Sequence, residues 1–356
     1  MTVDDGVVQI DVLSVALGAF ELGDVDVSIT PGARGAQGQV WRLATKTRAF
    51  ALKQAFAGAP SATASARVEA EIAFAQRVAS AGVRLPTSHL DRTGRYVVPL
   101  TGGGWLRLYD WVELRPADLT AAADALGVLL ARLHRGAPAA DQEPGGGPPD
   151  PWYEVPPERH EWEPLVIAAD EADRPWAARL AAAVDGLPSL QALLSSSDPT
   201  GLRVCHRDLH PGNVLADADG ELVVVDWEAL GPAEPARELA RALVAFFHDG
   251  RPDLESMRSA YRSYVAAGGP ARLCSTADFT MLIAAHLNFL NLQVRVALDP
   301  TALKRDRIWA ELEVDEALRT LPTPDLTARV LDALLSHGAL RADSSGWPSS
   351  GPPAPH

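Results

Sequence analysis

Short β-rich runs, most of them alternating between apolar and polar residues, occupy much of the first hundred positions. Five such runs lie at 25–30, 40–44, 50–54, 96–100 and 105–112. Alternation of this kind predicts strands that bury one face. Between the third and fourth runs, apolar residues recur every three or four positions over 65–81, which predicts a helix. The order predicts a small sheet with one helix packed on it.

The pattern becomes mostly helical after residue 112. Four leucines share one face of a helix predicted over 119–134, and from residue 239 onward the helical periodicity dominates. Residues 136–157 are rich in Gly and Pro, which predicts an irregular insert.

These patterns predict an α+β chain with two lobes. We expect a β-rich N-lobe with one helix over residues 1–112 and a larger helical C-lobe over 113–343. The Ser-, Gly- and Pro-rich end, 344–356, predicts a disordered tail.

The net charge of −14 argues against a nucleic-acid partner, because such binding needs a basic face. Two cysteines far apart exclude a disulfide scaffold and favour a reducing compartment. The acidic first residues lack a signal-peptide pattern, and polar residues interrupt the apolar stretch at 281–298, so we expect no membrane span. The expectation is a cytoplasmic monomer or homodimer.

Polar residues cluster around three short apolar strands between 204 and 228. Asp208 lies on the first loop, Asn213 ends it, and Asp226 follows the third strand. The spacing His-x-Asp-x-x-x-x-Asn, with a later Asp at a strand end, matches the catalytic loop of kinases. Asp208 suits orientation and deprotonation of an acceptor hydroxyl. Asn213 and Asp226 suit Mg²⁺, which prefers oxygen ligands.

The stretch His-Arg-Asp-Leu-His-Pro-Gly-Asn-Val-Leu at 206–215, followed by Val-Asp-Trp-Glu at 225–228, resembles the aminoglycoside phosphotransferase family of antibiotic and small-molecule kinases. The resemblance covers roughly residues 25–340 and is weak in the first lobe. It implies a protein-kinase-like fold, ATP or GTP as phosphate donor, Mg²⁺, and a small-molecule hydroxyl, that of an antibiotic, as acceptor.

The resemblance also implies a nucleotide site in the N-lobe. Lys53 ends an apolar strand as the phosphate-binding lysine of the family does. Its expected partner is Glu71 on the following helix, with Glu69 as the second choice. Gly35 and Gly38 belong to a Gly-x-x-Gly-x-x-Gly run suited to approach phosphates. The adenine is expected against the backbone of the hinge, and the hinge candidates are Asp110, Trp111 and Val112.

Two segments are left to recognise the acceptor. Trp152 and Trp162 lie in and after the irregular insert, and they either line a ligand site or anchor a long loop. His286 and Asn288 lie amid apolar residues of a late helix, where a buried polar group needs a partner. That partner is either a ligand in a cleft or a neighbouring backbone group.

Three other functions are weighed against an antibiotic kinase. A metabolite kinase of the amino sugar, choline or homoserine type is the alternative within the same resemblance. The His-Pro-Gly-Asn ending and the lack of an Ala-Pro-Glu segment disfavour a protein kinase. An inactive nucleotide-binding module is disfavoured because Lys53, Asp208, Asn213 and Asp226 are all present.

Overall fold

The computed structural model describes residues 12–22, 27–34, 38–56, 62–101, 103–142 and 147–336. The predicted tail at 344–356 and Gly35 lie outside the described residues.

The N-terminal region is an antiparallel sheet with two helices. Its elements in chain order are α1 (residues 12–19), β1 (Ser28–Arg34), β2 (Gly38–Ala44), β3 (Ala49–Ala55), α2 (Ala62–Ser80), β4 (Ser88–His89), β5 (Val98–Pro99) and β6 (Trp105–Asp110). The strands are ordered β1-β2-β3-β6-β4, and β5 also pairs with β6. The prediction of one helix missed α1, which precedes the sheet.

The two faces of this sheet have different partners because side chains alternate along each strand. Phe50, Leu52 and Leu106 are buried on one face and form a cluster with residues of α1, including Val12. The other face carries Lys53 of β3 directly opposite Arg107 of β6. This second face points toward the C-terminal region and supplies charged groups to the site described below.

The C-terminal region is mainly helical. Its elements are β7 (Arg115–Pro116), α3 (Ala123–Gly136), α4 (Arg159–Glu171), α5 (Ala177–Gln191), β8 (Arg203–Cys205), β9 (Val214–Ala216), β10 (Leu222–Val224), β11 (Gly231–Ala233), α6 (Pro235–Phe247), α7 (Leu254–Ala266), α8 (Thr280–Leu298), α9 (Lys304–Arg319) and α10 (Pro324–Leu335). The short strands form antiparallel pairs, β10-β9-β7 and β11-β8. The large hydrophobic core lies among the helices, and Phe74 and Val78 of α2 join it.

Helix α8 is the most apolar helix of this core. In the part of the chain that the structure describes, Thr276–Leu298 is the one helical stretch long and apolar enough to cross a membrane. Because 61% of its apolar window is buried inside the protein, its composition is that of a core helix. It packs mainly against α9 and α6.

The irregular insert contains two short 3₁₀ turns, Ala140–Gln142 and Pro151–Tyr153. Trp162 lies beyond it on α4, where its side chain is buried in the core and its indole N–H donates to the Pro157 carbonyl at 3.3 Å. The prediction of Trp162 as a substrate-binding residue is therefore wrong. The helical phase of α4 turns the ring inward, a direction that the loop-like composition upstream did not reveal.

Candidate active site

The loop between β8 and β9 presents Asp208 at the junction of the two regions. The carboxylate accepts hydrogen bonds on both oxygens, from Arg241 on α6 at 2.9 Å and from the Asn213 amide at 3.0 Å. His210 lies 3.6 Å from one of these oxygens. The Asn213 amide N–H₂ also donates to the Asp208 carbonyl at 2.9 Å, so both ends of the loop are tied together.

These neighbours keep Asp208 ionised. Burial by itself raises the pKa of a carboxyl group, because the charged form loses hydration. Here the nearby ring of His210 and the guanidinium of Arg241 outweigh burial, and they hold the pKa of Asp208 well below its usual range. The group is therefore a carboxylate across the whole neutral range.

A buried network supports the backbone of this loop. Glu238 of α6 accepts the Arg207 backbone N–H, and its other oxygen pairs with His134 of α3 at 2.8 Å. The second ring nitrogen of His134 meets the Tyr264 hydroxyl at 2.9 Å. Burial raises the pKa of Glu238, but the bond from His134 outweighs it and the pKa is lowered.

Cys205 completes a group with His134 and Glu238 whose potential ligand atoms lie within 4.8 Å of one another. Both ring nitrogens of His134 are already hydrogen-bonded, so the group positions the loop rather than offering a ligand set. His206 is also buried, and its ring meets the Val225 carbonyl at 3.2 Å, as expected for a structural histidine.

Arg207 connects the loop between β8 and β9 to the loop after β10. Its guanidinium donates to the Ala229 carbonyl at 2.5 Å and lies 4.5 Å from the centre of the Tyr153 ring, which comes from the insert. A Cβ at Gly231 would meet this guanidinium at 2.6 Å, so a larger residue there would displace the Arg207 side chain. Arg207 and Asp226 both have left-handed backbone, with φ of 66° and 59°. Such strain in non-glycine residues concentrates at functional sites.

Asp226 lies across from Asp208 and next to Asn213. The Val225 N–H donates to the Asn213 carbonyl at 2.9 Å, which sets the two side by side. Lys53 reaches over from β3 and contacts Asp226 at 2.8 Å and Glu228 at 2.9 Å. Burial lowers the pKa of Lys53, but the charges of Glu228 and Asp226 outweigh it and raise the pKa.

The oxygens of Asp226, Glu228 and Asn213 fit a hard divalent cation. Both carboxylates are partly exposed, and the Asn213 amide nitrogen is turned to Asp208, which leaves its oxygen as the remaining donor atom. The prediction of Asn213 and Asp226 as ligands remains a prediction that this donor set suits.

The expected pairing of Glu71 with Lys53 is wrong. Both oxygens of Glu71 accept from the guanidinium of Arg107, each at 2.8 Å, and both side chains are buried. Arg107 lies opposite Lys53 in the strand register, so it reaches α2 from the neighbouring strand. Its planar guanidinium satisfies both carboxylate oxygens at once, which an ammonium group cannot do.

The other described residues that were predicted to bind the nucleotide are Gly38, Asp110 and Val112, and they differ in their contacts with the rest of the protein. Gly38 opens β2, and a Cβ there would lie 2.4 Å from the Gln54 carbonyl, so close strand pairing already requires a glycine. The Asp110 carboxylate meets Arg48 and His89, and its N–H donates to Thr87, so only its carbonyl is left as a hinge group. Val112 lies two residues on, beyond the end of β6.

The structure shows backbone partners for the two α8 residues that were predicted to bind substrate. The Asn288 amide donates to the Trp152 and Val155 carbonyls, each at 2.9 Å, and thereby anchors the insert. His286 meets the Ala317 carbonyl at 2.7 Å, and burial lowers its pKa to about 4. These contacts use the Asn288 amide nitrogen and one ring nitrogen of His286 and support the backbone alternative, while substrate binding by the two side chains stays a prediction.

Three residues of the site were missed at the sequence level: Arg241, Arg107 and Glu228. Glu238 and Arg241 are three residues apart on α6 and therefore share a helix face. Once one of them is assigned to the site, this spacing makes the other a candidate site residue. Arg107 lies in the alternating pattern of apolar and polar residues of an ordinary strand. That pattern does not indicate which residue it pairs with.

The junction of a β-rich and a helical region brings together an ionised Asp208, Asn213, and Asp226 paired with Lys53, the set of groups that phosphoryl transfer needs. The chain matches the model of the phosphotransferase enzyme family, APH, over residues 28–274. It belongs to this family, and its enzyme class is that of the small-molecule kinases, which transfer phosphate to hydroxyl groups.

Solved structures of similar fold are enzymes of this kind. A spectinomycin phosphotransferase bound to ADP and spectinomycin is 12% identical, with a TM-score of 0.61 over 90% of this chain and 96% of that one. A microcompartment-associated aminopropanol kinase is 18% identical, with a TM-score of 0.57 over 91% and 98%. An amicoumacin kinase with AMP-PNP and Ca²⁺ is 17% identical, with a TM-score of 0.53 over 91% and 98%. No curated protein sequence matches the chain.

Proposed function

We propose that this kinase transfers the γ-phosphoryl group of ATP or GTP to a hydroxyl group of an antibiotic, and so confers resistance by O-phosphorylation. The observation that carries the proposal is the presence of two carboxylates, Asp208 and Asp226, at the junction of the two regions. Asp208 is held ionised by Arg241, and Asp226 lies beside Asn213 and faces Lys53. Such a site can deprotonate an acceptor and neutralise phosphate charge.

Each residue has a separate role in this proposal. Asp208 orients the acceptor hydroxyl and takes its proton at a carboxylate oxygen, while Arg241 and Asn213 fix the rotamer of that carboxylate. Lys53 neutralises phosphate oxygens of the nucleotide. Asn213, Asp226 and Glu228 would hold Mg²⁺, which supplies charge neutralisation to the β- and γ-phosphates when bound.

The two lobes divide the work. Residues 1–112 bind the nucleotide, with Gly35 and Gly38 near the phosphates and the backbone of Val112 and the Asp110 carbonyl at the adenine. Residues 113–343 carry the chemistry and the acceptor site. The proposed setting is the cytoplasm, where nucleotide is available, and the proposed assembly is a monomer or a homodimer.

The acceptor site would lie between the insert and α9, close to Asp208. Trp152 of the insert is half-buried, and Tyr153 packs on Arg207 next to Asp208. Glu313 of α9 is half-buried near His210, and burial followed by the charge of Glu316 raises its pKa. An antibiotic acceptor is supported by the fold shared with the spectinomycin and amicoumacin kinases.

A metabolite kinase is the second candidate. The fold is also similar to that of the aminopropanol kinase, with a TM-score of 0.57, between the values for the spectinomycin and amicoumacin kinases, and coverage of 98% of that chain. An amino alcohol would place its hydroxyl at Asp208 and its amine at a carboxylate such as Glu313.

The test is an assay of nucleoside diphosphate release with Mg·ATP or Mg·GTP and two acceptor panels, one of antibiotics and one of amino alcohols and amino sugars. Asp208→Asn serves as the control for turnover at this site. Turnover with an antibiotic, and increased resistance of cells that express the protein, supports the first candidate. Turnover confined to the metabolite panel replaces it with the second, and casein phosphorylation without small-molecule turnover contradicts both.

A further inference from the structure

On the charged face of the N-terminal sheet, Arg107 pairs with Glu71, the partner that was expected for Lys53. Lys53 and Arg107 are direct cross-strand neighbours on β3 and β6, so their side chains leave the sheet at adjacent points on one face. Arg107 takes Glu71 with two parallel hydrogen bonds of 2.8 Å. Lys53 takes Asp226 and Glu228 instead.

The Arg107–Glu71 pair is fixed in place. The Arg107 side chain is 1% exposed and that of Glu71 is 7% exposed. The guanidinium also lies 5.1 Å from the centre of the Tyr109 ring, which borders it on the same strand. The bidentate contact therefore neutralises the Glu71 charge inside the protein, so Glu71 attracts Lys53 less than an unpaired carboxylate would.

Lys53 therefore rests on the carboxylates that the proposed function assigns to the metal. These carboxylates are more accessible than Glu71, with side-chain exposures of 43% for Asp226 and 33% for Glu228. An ammonium group and a divalent cation compete for the same oxygens, so a bound Lys53 weakens the binding of a free metal ion. A nucleotide that arrives with its metal brings phosphate oxygens, which give Lys53 a new partner as it leaves Asp226.

We propose that Arg107 is a positioning residue: by occupying Glu71 it directs Lys53 onto Asp226 and Glu228, where Lys53 acts as an internal counterion that is displaced when metal and nucleotide bind together. The inference rests on the proposed function for the identity of the metal ligands. It predicts that this kinase binds free divalent cations weakly and acquires its metal mainly as the nucleotide complex.

The experiment measures binding of Mn²⁺ alone, without nucleotide, by calorimetry and by electron paramagnetic resonance. Lys53→Met removes the competing charge, and we expect Mn²⁺ affinity to rise at least about fivefold, the lower end of ordinary coupling between two ligands. Arg107→Met leaves the buried Glu71 carboxylate unpaired. Because an unpaired buried charge is very unfavourable, Lys53 moves to Glu71, and Mn²⁺ affinity rises as well.

Two further variants separate this effect from a structural one. Glu71→Gln added to Arg107→Met removes the new attraction for Lys53, so Mn²⁺ affinity returns to the wild-type value. Arg107→Lys keeps a cation on Glu71 and stays close to wild type. Circular dichroism and the unfolding temperature of each variant confirm folding, and Lys53→Met, at a partly accessible position, tests the competition even if Arg107→Met fails to fold.

Unchanged Mn²⁺ affinity in Lys53→Met overturns the proposal, as does an increase in Arg107→Met that persists when Glu71→Gln is added. Failure of the proposed function looks different. In that case no acceptor is phosphorylated although the affinity pattern of the four variants holds. If Asp226→Ala leaves Mn²⁺ binding unchanged in the Lys53→Met background, both the metal assignment and the competition are contradicted.

Discussion

The two sides of Asp208, which the proposed function assigns to the nucleotide and to the acceptor, are built from different kinds of contact. On the nucleotide side, the cationic side chains of β3 and β6 pair with carboxylates, as in Lys53–Asp226 and Arg107–Glu71. On the acceptor side, polar side chains of α8 bind backbone carbonyls of the insert and of α9, as Asn288 and His286 do. Arg237 adds a buried link from α6 to Glu154 of the insert at 3.1 Å.

This difference separates the residues proposed for metal and nucleotide binding from the residues proposed for acceptor recognition. Charge pairs can exchange partners when a charged ligand arrives, because a phosphate or a metal replaces one ion with another. Hydrogen bonds to a backbone carbonyl have no such replacement and hold the insert in one place. Changes on the nucleotide side should therefore act on metal and nucleotide, and changes on the acceptor side on the acceptor and on stability.

The largest effect is expected for Asp226→Ala on the nucleotide side. Loss of an indirect partner of a metal ligand already costs about 10–100-fold in affinity or activity, so loss of the ligand itself should cost at least as much. We expect activity to be abolished and Mg·ATP affinity to fall, whereas Asn213→Ala, which removes no charge, should lose less. Calorimetry with Mg·ATP measures both, and equal affinity for Asp226→Ala and wild type would contradict the assignment.

Asp208→Asn tests the junction of the two sides. The amide keeps the shape but cannot accept a proton, so we expect kcat to fall by about two to four orders of magnitude, the scale of general base catalysis. Nucleotide affinity should change little because Asp208 does not contact Lys53. A variant that retains more than about a tenth of wild-type kcat would exclude the base role.

Arg241→Met should change the pH dependence of kcat. In the wild type, Asp208 has a lowered pKa, so its carboxylate is lost only when the pH falls below the ordinary carboxyl range. Without Arg241, burial raises this pKa, and the acid limb of kcat should move up by about one to three pH units. Arg258→Met is the matched control, since Arg258 donates to the Ala333 carbonyl far from the loop. An unmoved acid limb would show that Arg241 does not set the charge of Asp208.

Asn288→Ala should give the smallest effect and confine it to the acceptor side. Loss of two hydrogen bonds should lower the free energy of unfolding by about 1–3 kcal/mol and release the insert around Trp152. We expect the acceptor KM to rise several-fold while the nucleotide KM stays constant. Leu292→Ala, on the exposed side of the same helix, is the control. An equal rise of both KM values would mean that the insert does not contribute separately to acceptor binding.

Trp152→Ala sharpens the same comparison, because Trp152 keeps its side chain available while its carbonyl is used by Asn288. A rise in acceptor KM with unchanged unfolding temperature would assign the ring to the acceptor. A loss of stability alone would make the ring an anchor of the insert.

Prediction from sequence succeeded where a local pattern contains its own physical cause. Alternation along β2 and β3 predicted the strands within a few residues, and the periodicity over 65–81 predicted α2. It failed where the outcome depends on distant packing. Helix α1 was missed although its residues bury against the sheet, and Trp162 was assigned to a loop although α4 carries it into the core.

The sequence by itself determined the family and singled out the candidate catalytic residues Asp208, Asn213 and Asp226, because the motif that carries them is nearly continuous along one short stretch of the chain. Only the tertiary structure decided which charges meet. Lys53 and Asp226 are 173 residues apart, and Arg107 and Glu71 are 36 apart. From the sequence alone, several acidic residues could pair with Lys53 equally well. In the structure, strand register, burial and the geometric fit of a guanidinium to a carboxylate select among them.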